Sequence, residues 1–309
     1  MKKNTALKFL LLVLAFTLLF FSCKKDKDIV IADNNAPYYG EVSKVTLENY
    51  INRIFIDLIG REALKTEMAT EENSLRANNL SIASREKLIT KLQTDTTHIP
   101  GDSSYMYAYY NRFYELCKAR VIEAASNDLI LAQTHDAQYE ATIDSINGDS
   151  LNFYLTKQKV HNYLEIIKCE KKYRTDSIGI KDVFARMINN GIYDQINMNT
   201  FNFLNASFND LLFRYPISNE FNAGYNMVES DRPDILFGKS GQNKGDYINI
   251  LVNSEEFYEG IIRWEYKNLL ARDPSTQEVF TTMQTFFNDH NVKKIQLNIM
   301  KSNEYANFK

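Results

Sequence analysis

The chain has 309 residues, with 36 Lys and Arg against 39 Asp and Glu, a net charge of −3 with His neutral. That balance argues against nucleic acid as the main partner, because neutralising phosphates needs a basic face. Gly (11) and Pro (5) are scarce, period-two alternation is nearly absent, and apolar residues recur three and four apart over long stretches. The chain therefore reads as all-α: a multi-helix array with a long αα-hairpin and three repeated helix corners.

The first element is a leader. Lys2, Lys3 and Lys8 give a basic end, and Phe9 to Phe21 is apolar apart from Thr17. Crossing ~30 Å of hydrocarbon needs about 20 residues, so this shorter run fits a cleavable signal peptide, residues 1–22. Leu19-Phe20-Phe21-Ser22-Cys23 resembles the lipobox of bacterial lipoproteins, with Phe21 in place of the usual small or Leu-type residue. The resemblance implies cleavage before Cys23, a diacylglycerol thioether on its sulfur and an acylated amine. Anchoring then follows from chain burial at ~0.8 kcal/mol per CH₂. The alternatives are an uncleaved anchor or a cut elsewhere. Lys24-Lys25-Asp26-Lys27-Asp28 resembles the charged export signal of surface-exposed Bacteroidota lipoproteins, which implies an outer-membrane, cell-surface address; the plainer reading is a solvated tether. That tether, residues 23–45, includes the turn-forming Asp33-Asn34-Asn35-Ala36-Pro37. Removing the leader takes away three of the 36 basic side chains and none of the 39 acidic ones, so the mature chain sits at −6. Lipid, not charge, would hold it to the membrane.

The mature chain divides by pattern into an N-terminal helical module (46–97), a long helical hairpin (98–177) and a C-terminal helical module (178–309). In the first, Leu47, Tyr50, Ile51, Ile54, Phe55, Leu58 and Ile59 stripe a helix over Thr46 to Gly60, and further helices start near Lys65 and Ser84. Asp95 to Asp102 is a loop. From Ser103 to about Ile146 there is neither Gly nor Pro. A single helix there would span roughly 65 Å, although its middle, Ala124 to Thr142, is polar enough to break. Asn147-Gly148-Asp149-Ser150 is a turn, and a helix returns over about Leu151 to Lys172. The C-terminal module holds helices over Lys181–Ile196, Thr200–Phe213, Ser218–Glu229, Asp246–Asn253, Ser254–Leu270, Ser275–Asp289 and Val292–Lys301. An irregular loop over 231–245 interrupts them.

One pattern occurs three times without gaps: Phe55 to Glu67, Phe208 to Glu220 and Tyr266 to Glu278. Its form is aromatic-x-Asp/Asn-Leu-Ile/Leu-x-Arg-x-Pro/Ala-x-x-x-Glu. The aromatic and the Leu share a helix face. Arg61, Arg214 and Arg272 end that helix, where a cation suits the dipole. Pro216 and Pro274 are expected in the first turn of the next helix, with Asp273 as its N-cap, and Ala63 makes the first corner looser. Glu67, Glu220 and Glu278 fall six residues after their Arg and can pair with it across the bend. The functional reading of each pair is a catalytic or ligand-binding couple; the structural one is a helix–helix clamp, favoured because it recurs in different surroundings. These corners resemble those of phycobilisome-linker-like repeats, and Asp57-Leu58-Ile59-Gly60-Arg61 also resembles a stretch of large planctomycete cytochrome-associated proteins. Neither resemblance implies an activity, and no CxxCH haem site is present.

Other candidates are thinner. Cys117 and Cys169 are read as two free core thiols, with a bridge as the alternative. His98, His135, His161 and His290 stand singly, and no metal site or cofactor is expected. Gly238-Lys239-Ser240 resembles the end of a P-loop, but Pro233 takes the first glycine's place and no strand is expected before it. Glu255/Glu256 and Glu229/Asp231 read as solvated charges. Asp95-Thr96-Thr97, Asp144-Ser145-Ile146, Asp149-Ser150-Leu151 and Asp176-Ser177-Ile178 resemble Bacteroidota O-glycosylation sites. Tyr105, Tyr109, Tyr110 and Tyr114 form either a partner or sugar-stacking surface or an aromatic core face. No Gly-x-Ser-x-Gly or His-Glu-x-x-His occurs. The expected function is a non-enzymatic accessory or scaffold subunit of an envelope protein complex. The alternatives are a glycan- or peptide-binding lipoprotein for nutrient capture and an envelope hydrolase with an unrecognised site.

Overall fold

Several helices of this chain end on a left-handed residue, at Gly60, Phe213, Asp231, Ala271 and His290, and those stops set the corners of the architecture. The computed structural model describes residues 42–101 and 103–308. The leader, Cys23, the tether up to residue 41 and Tyr38-Tyr39 lie outside the described residues.

The described residues form α1 (Lys44–Ile59), α2 (Lys65–Ala77), α3 (Ile82–Thr94), α4 (Tyr105–Val121), α5 (Asn127–Ile146), α6 (Ser150–Ile167), α7 (Cys169–Arg174), α8 (Ile180–Ile188), α9 (Gly191–Asn197), α10 (Thr200–Leu212) and α11 (Ser218–Ser230). A small β-hairpin, β1 (Asp234–Leu236) and β2 (Lys239–Gly241), follows. Then come α12 (Lys244–Val252), α13 (Glu255–Leu270), α14 (Thr276–Asp289), α15 (Val292–Met300) and α16 (Asn303–Ala306). The array is all-α apart from that one hairpin, and no helix of the described residues is long and apolar enough to cross a membrane.

Three expectations needed correction. The stretch from Ser103 to Ile146 is two helices. Glu123 and Ala124 turn left-handed (φ 49° and 57°), Ser126 caps α5 by accepting from the Leu129 N–H, and the buried Lys118 Nζ donates to Asn127 Oδ1 at 3.0 Å. The αα-hairpin is therefore α5–α6, closed by Asn147–Asp149 with Gly148 at φ 71°. The helix expected over 181–196 is likewise two. Asn190 Oδ1 accepts from the N–H groups of Ile192 and Tyr193 and so starts α9, while its Nδ2 donates to the carbonyls of Arg186 and Met187 and so closes α8. The loop over 231–245 contains the β-hairpin, with Ile235 opposite Ser240. Phe237 and Gly238 both have positive φ (51° and 72°), as a two-residue hairpin turn requires. A short strand thus does precede Gly238-Lys239-Ser240, but Lys239 and Ser240 lie in β2 rather than in a phosphate loop.

One apolar core draws residues from all three sequence segments, and the first and last described helices meet in it. The Tyr50 hydroxyl donates to Met300 O at 3.2 Å. The fully buried Arg85 donates to Lys301 O at 2.7 Å. Cys117 and Cys169 are free thiols within the core.

Within the array a three-helix unit recurs: α1–α2–α3, α10–α11–α12 and α13–α14–α15. In each, every helix packs on the other two. The second and third units interlock at Gly260, where a Cβ would lie 2.0 Å from Leu211 O, so α13 and α10 touch backbone to backbone with no room for a methyl group.

Candidate functional site

The three corners are built alike, down to single atoms. Each first helix ends on a residue in the left-handed region: Gly60 (φ 78°), Phe213 (58°) and Ala271 (54°). Its N–H returns to a carbonyl four residues back, closing the helix. The next residue is the arginine, which reverses over its own helix. Its guanidinium carbon lies 5.8 Å from the Phe55 ring centre for Arg61, 5.2 Å from Phe208 for Arg214, and 5.3 Å from Tyr266 for Arg272. The aromatic position is thus a platform for the cation as well as a core contact.

The guanidinium then forks onto the glutamate. Arg61 reaches Glu67 at 2.7 and 2.8 Å, Arg214 reaches Glu220 at 2.7 and 2.8 Å, and Arg272 reaches Glu278 at 2.9 and 2.7 Å. Nη1 also donates to the carbonyl of the next residue in all three. Each glutamate occupies the third position of its helix and accepts from the N-cap N–H, at 2.7 Å for Leu64, 2.9 Å for Ile217 and 2.7 Å for Ser275. That is one half of a capping box, completed only at the third corner where Ser275 Oγ accepts from the Glu278 N–H at 3.2 Å, joined to a bidentate salt bridge. The true N-cap of α14 is Ser275, not Asp273. Pro216 and Pro274 stand just before their caps rather than in the first turn.

These bonds set the titration of the acids. Burial opposes ionisation of Glu67, but hydrogen bonds from Arg61, Tyr105 and the Leu64 N–H hold it down at about 2. Hydrogen bonding from Arg272 chiefly holds Glu278 down to about 2.

The repeat also runs further than the corner. After the third helix of the second and third units comes Ser-x-Glu-Phe/Tyr: Ser254 to Phe257 and Ser302 to Tyr305. The serine caps the following helix by accepting from the aromatic residue's N–H. The glutamate returns to the corner arginine: Arg214 Nε to Glu256 at 2.8 Å, and Arg272 Nε to Glu304 at 2.6 Å. Glu256 is therefore an ion-pair partner, not the solvated charge its sequence suggested. In the first unit Ser104 caps α4 in the same way and Met106 stands at the glutamate's position. There the Tyr105 hydroxyl donates to Glu67 at 2.7 Å.

Helices from elsewhere lock two corners from behind. Arg120 donates to the carbonyls of Asn209 and Asp210 at 3.0 and 2.9 Å. Arg53 donates to the carbonyl of Leu269, and to that of Tyr305 at 2.9 Å. Within the second corner the Tyr193 hydroxyl donates to Asp210 Oδ2 at 2.9 Å, and burial pushes that carboxyl up to about 6. With fork, cap and stacking satisfied within the fold, each Arg–Glu pair ties the end of one helix to the start of the next.

The tyrosines of α4 do not form a surface. Tyr105, Tyr109, Tyr110 and Tyr114 are 5%, 2%, 4% and 3% exposed, so the partner-surface expectation fails for them and the core-face reading stands. The reason is local: α4 packs against α1, α3, α7 and α8, leaving it little free face. Tyr109 enters a buried polar chain instead. Its hydroxyl donates to Gln296 Oε1 at 2.8 Å, and Gln296 Nε2 donates to Glu265 Oε1 at 3.2 Å. Burial pushes the Glu265 carboxyl up to about 8.

Two surface features adjoin α6. A polar cleft of about 350 Å³ lies between α6, α8 and α12, lined among others by Gln158, Asn162, Lys181, Arg186, Asn189 and Asn249. The α5–α6 hairpin is the other. Helix α5 packs extensively only on α6, and large apolar residues stay exposed on both arms. Among the described residues, no group of three or more His, Cys, Asp or Glu is placed to hold a metal ion. Sequence reasoning missed the hairpin's exposed rows. Their signal was a helix 127–146 whose apolar residues go all round rather than along one stripe.

No protein-family model, curated protein or solved structure matches the chain.

Proposed function

We propose that the protein is a lipid-anchored envelope subunit that acts as a non-enzymatic accessory or scaffold, its lipid on Cys23, facing the cell surface of a bacterium with a Bacteroidota-type export signal. The observation that best supports it is how the charges are used. The repeated arginines and glutamates are consumed in holding helices at fixed angles, while the α5–α6 hairpin offers exposed apolar side chains beyond the core. A rigid array with one such arm suits holding a partner in place. Mild detergent extraction of tagged protein from its own membranes, followed by native mass spectrometry, tests this. A defined envelope complex that survives salt and loses its partner when hairpin residues are made charged is expected. A lone subunit under several extraction conditions would count against it.

A second reading, glycan or peptide capture, draws on a different set of rings. Phe201, 62% exposed, packs on Phe221 at 5.3 Å, and Phe221 stacks on Tyr225 at 6.3 Å. Binding of oligosaccharides lost in Phe201→Ala would favour it; an unchanged glycan-array profile in that variant would remove it.

A further inference from the structure

The hairpin's two outer edges match each other. Helix α5 meets α6 through Ile130, Thr134, Ala137 and Ala141, all buried. At 100° per residue, Tyr139, Ile143 and Ile146 point to the opposite side, and they are exposed at 70%, 38% and 75%. On α6, Thr156 and Val160 mark the side toward α5: the Thr156 hydroxyl donates to Asp144 Oδ2 at 3.0 Å. Leu151, Tyr154 and Leu155 turn away from it and are exposed at 70%, 66% and 54%. Each arm thus carries an apolar row on the edge facing away from the other arm.

The rows share a height. Ile146 ends α5 and Leu151 is the second residue of α6, so both rows begin beside the Asn147–Asp149 turn and run toward the base. They differ in charge. Helix α5 carries Asp128, Asp136, Glu140 and Asp144 and no Lys or Arg. Helix α6 carries Lys157 and Lys159, and its one carboxylate, Glu165, lies at the base, tied to Lys172 and Arg186 at 2.6 and 2.9 Å. Inside the hairpin Glu140 and Asp144 already face Lys159 and Thr156, so the charges left beside the outer edges are Asp128 and Asp136 on α5 and Lys157 on α6, and pairing α5 with α5 would set acid against acid. Pairing α5 with α6 matches both charge and height, as it already does inside the hairpin, where Lys159 reaches Glu140 at 3.4 Å.

We infer that the occupant of this surface is a second copy of the chain, the α5 edge of one hairpin lying along the α6 edge of the next with their tips level. This rests on the hairpin being a docking arm. The contact is heterologous, so it leaves one edge free on each end copy and propagates into a row or closes into a ring. Three side chains a side make a small patch, so association is weak in dilute solution. Confinement of tethered copies raises their effective concentration.

Sedimentation velocity of the mature protein in mild detergent, over a concentration series up to ~0.1 mM, tests it. Concentration-dependent dimers and higher species are expected. Ile146→Asp and Leu151→Asp, both at exposed positions, should each weaken association at least tenfold with an unchanged circular dichroism spectrum. Register is read by cross-linking. Ile146→Cys mixed with Leu151→Cys should give disulfide-linked dimers under mild oxidation, and neither variant alone should. A wild-type monomer throughout the series, or cross-linking of Ile146→Cys with itself, overturns the inference. If the wild type is monomeric yet a defined envelope complex still depends on the hairpin, self-pairing falls and the docking arm stands.

Discussion

Arg272 holds carboxylates from two different helices at once, Glu278 of α14 at 2.7 Å and Glu304 of α16 at 2.8 Å, both through Nη2. Arg214 does the same with Glu220 of α11 and Glu256 of α13. Each arginine therefore ties the second helix of its unit to the helix that follows the third. Since α13 both follows the second unit and starts the third, two clamps run in series through the C-terminal half.

The clamps should not contribute equally. The Glu67 side chain is 10% exposed and takes three kinds of donor, Arg61, the Leu64 N–H and the Tyr105 hydroxyl. Glu67→Gln should lower stability by roughly 2 kcal/mol, because charge-assisted bonds are lost in a partly buried site. At the third corner Arg272 and Glu304 are 35% and 52% exposed, and a double-mutant cycle between them should give only about 0.5–1 kcal/mol. Urea denaturation with unchanged m-values checks both.

Two sets of acids pull the pH profile in opposite directions. Glu265 is raised from 4.5 to about 8. Its neutral form is the stable one in the fold, so its contribution is complete below pH 4.5 and is lost as pH rises toward 8. Asp210, raised from 3.8 to about 6 by burial, acts in the same direction over a lower window. Glu67, lowered to about 2, contributes above pH 4.5 and loses that contribution as pH falls toward 2. Glu265→Gln should therefore raise the melting temperature at pH 8.5 and leave it nearly unchanged at pH 4.5. Calorimetry at the two pH values measures this.

Left-handed residues at the corners give a backbone test. Ala271 has φ 54°, which costs an L-residue about 1 kcal/mol, so Ala271→Gly should stabilise by roughly 0.5–1 kcal/mol. Gly60→Ala should do the reverse. Gly60 has φ 78°, and an added Cβ would meet Arg112 Cδ at 3.2 Å. Thermal melts of the two variants should shift in opposite directions.

Gly260→Ala should be the most damaging small change in the array. Its methyl group would meet Leu211 O at 2.0 Å, so α13 must move off α10, at a cost of about 3 kcal/mol or more. Limited proteolysis should show the C-terminal half opening first.

The legible parts of the fold were those written in local rules. Apolar spacing fixed the helix class and most boundaries, and the spacing of Arg61 to Glu67 and its two copies identified the clamps before any geometry was known. What stayed hidden depended on partners far along the chain. Nothing local marks Arg53 as the residue that closes the corner at Leu269, or Arg120 as the one at Asp210. The tyrosines of α4 read equally well as surface or core, because only the elements packed around the helix decide. The Ser-x-Glu-Phe/Tyr ends of the later units were readable, but the first unit has Met106 at that glutamate's place, which broke the threefold pattern.

The proposed role stands on the anchor, and intact-mass analysis of protein extracted from its native membranes tests that most directly. A mass matching the chain from Cys23 onward plus a diacylglycerol group and one further acyl chain is the predicted result. A chain that still carries residues 1–22, or one that starts elsewhere and partitions into water without acyl groups, would contradict it.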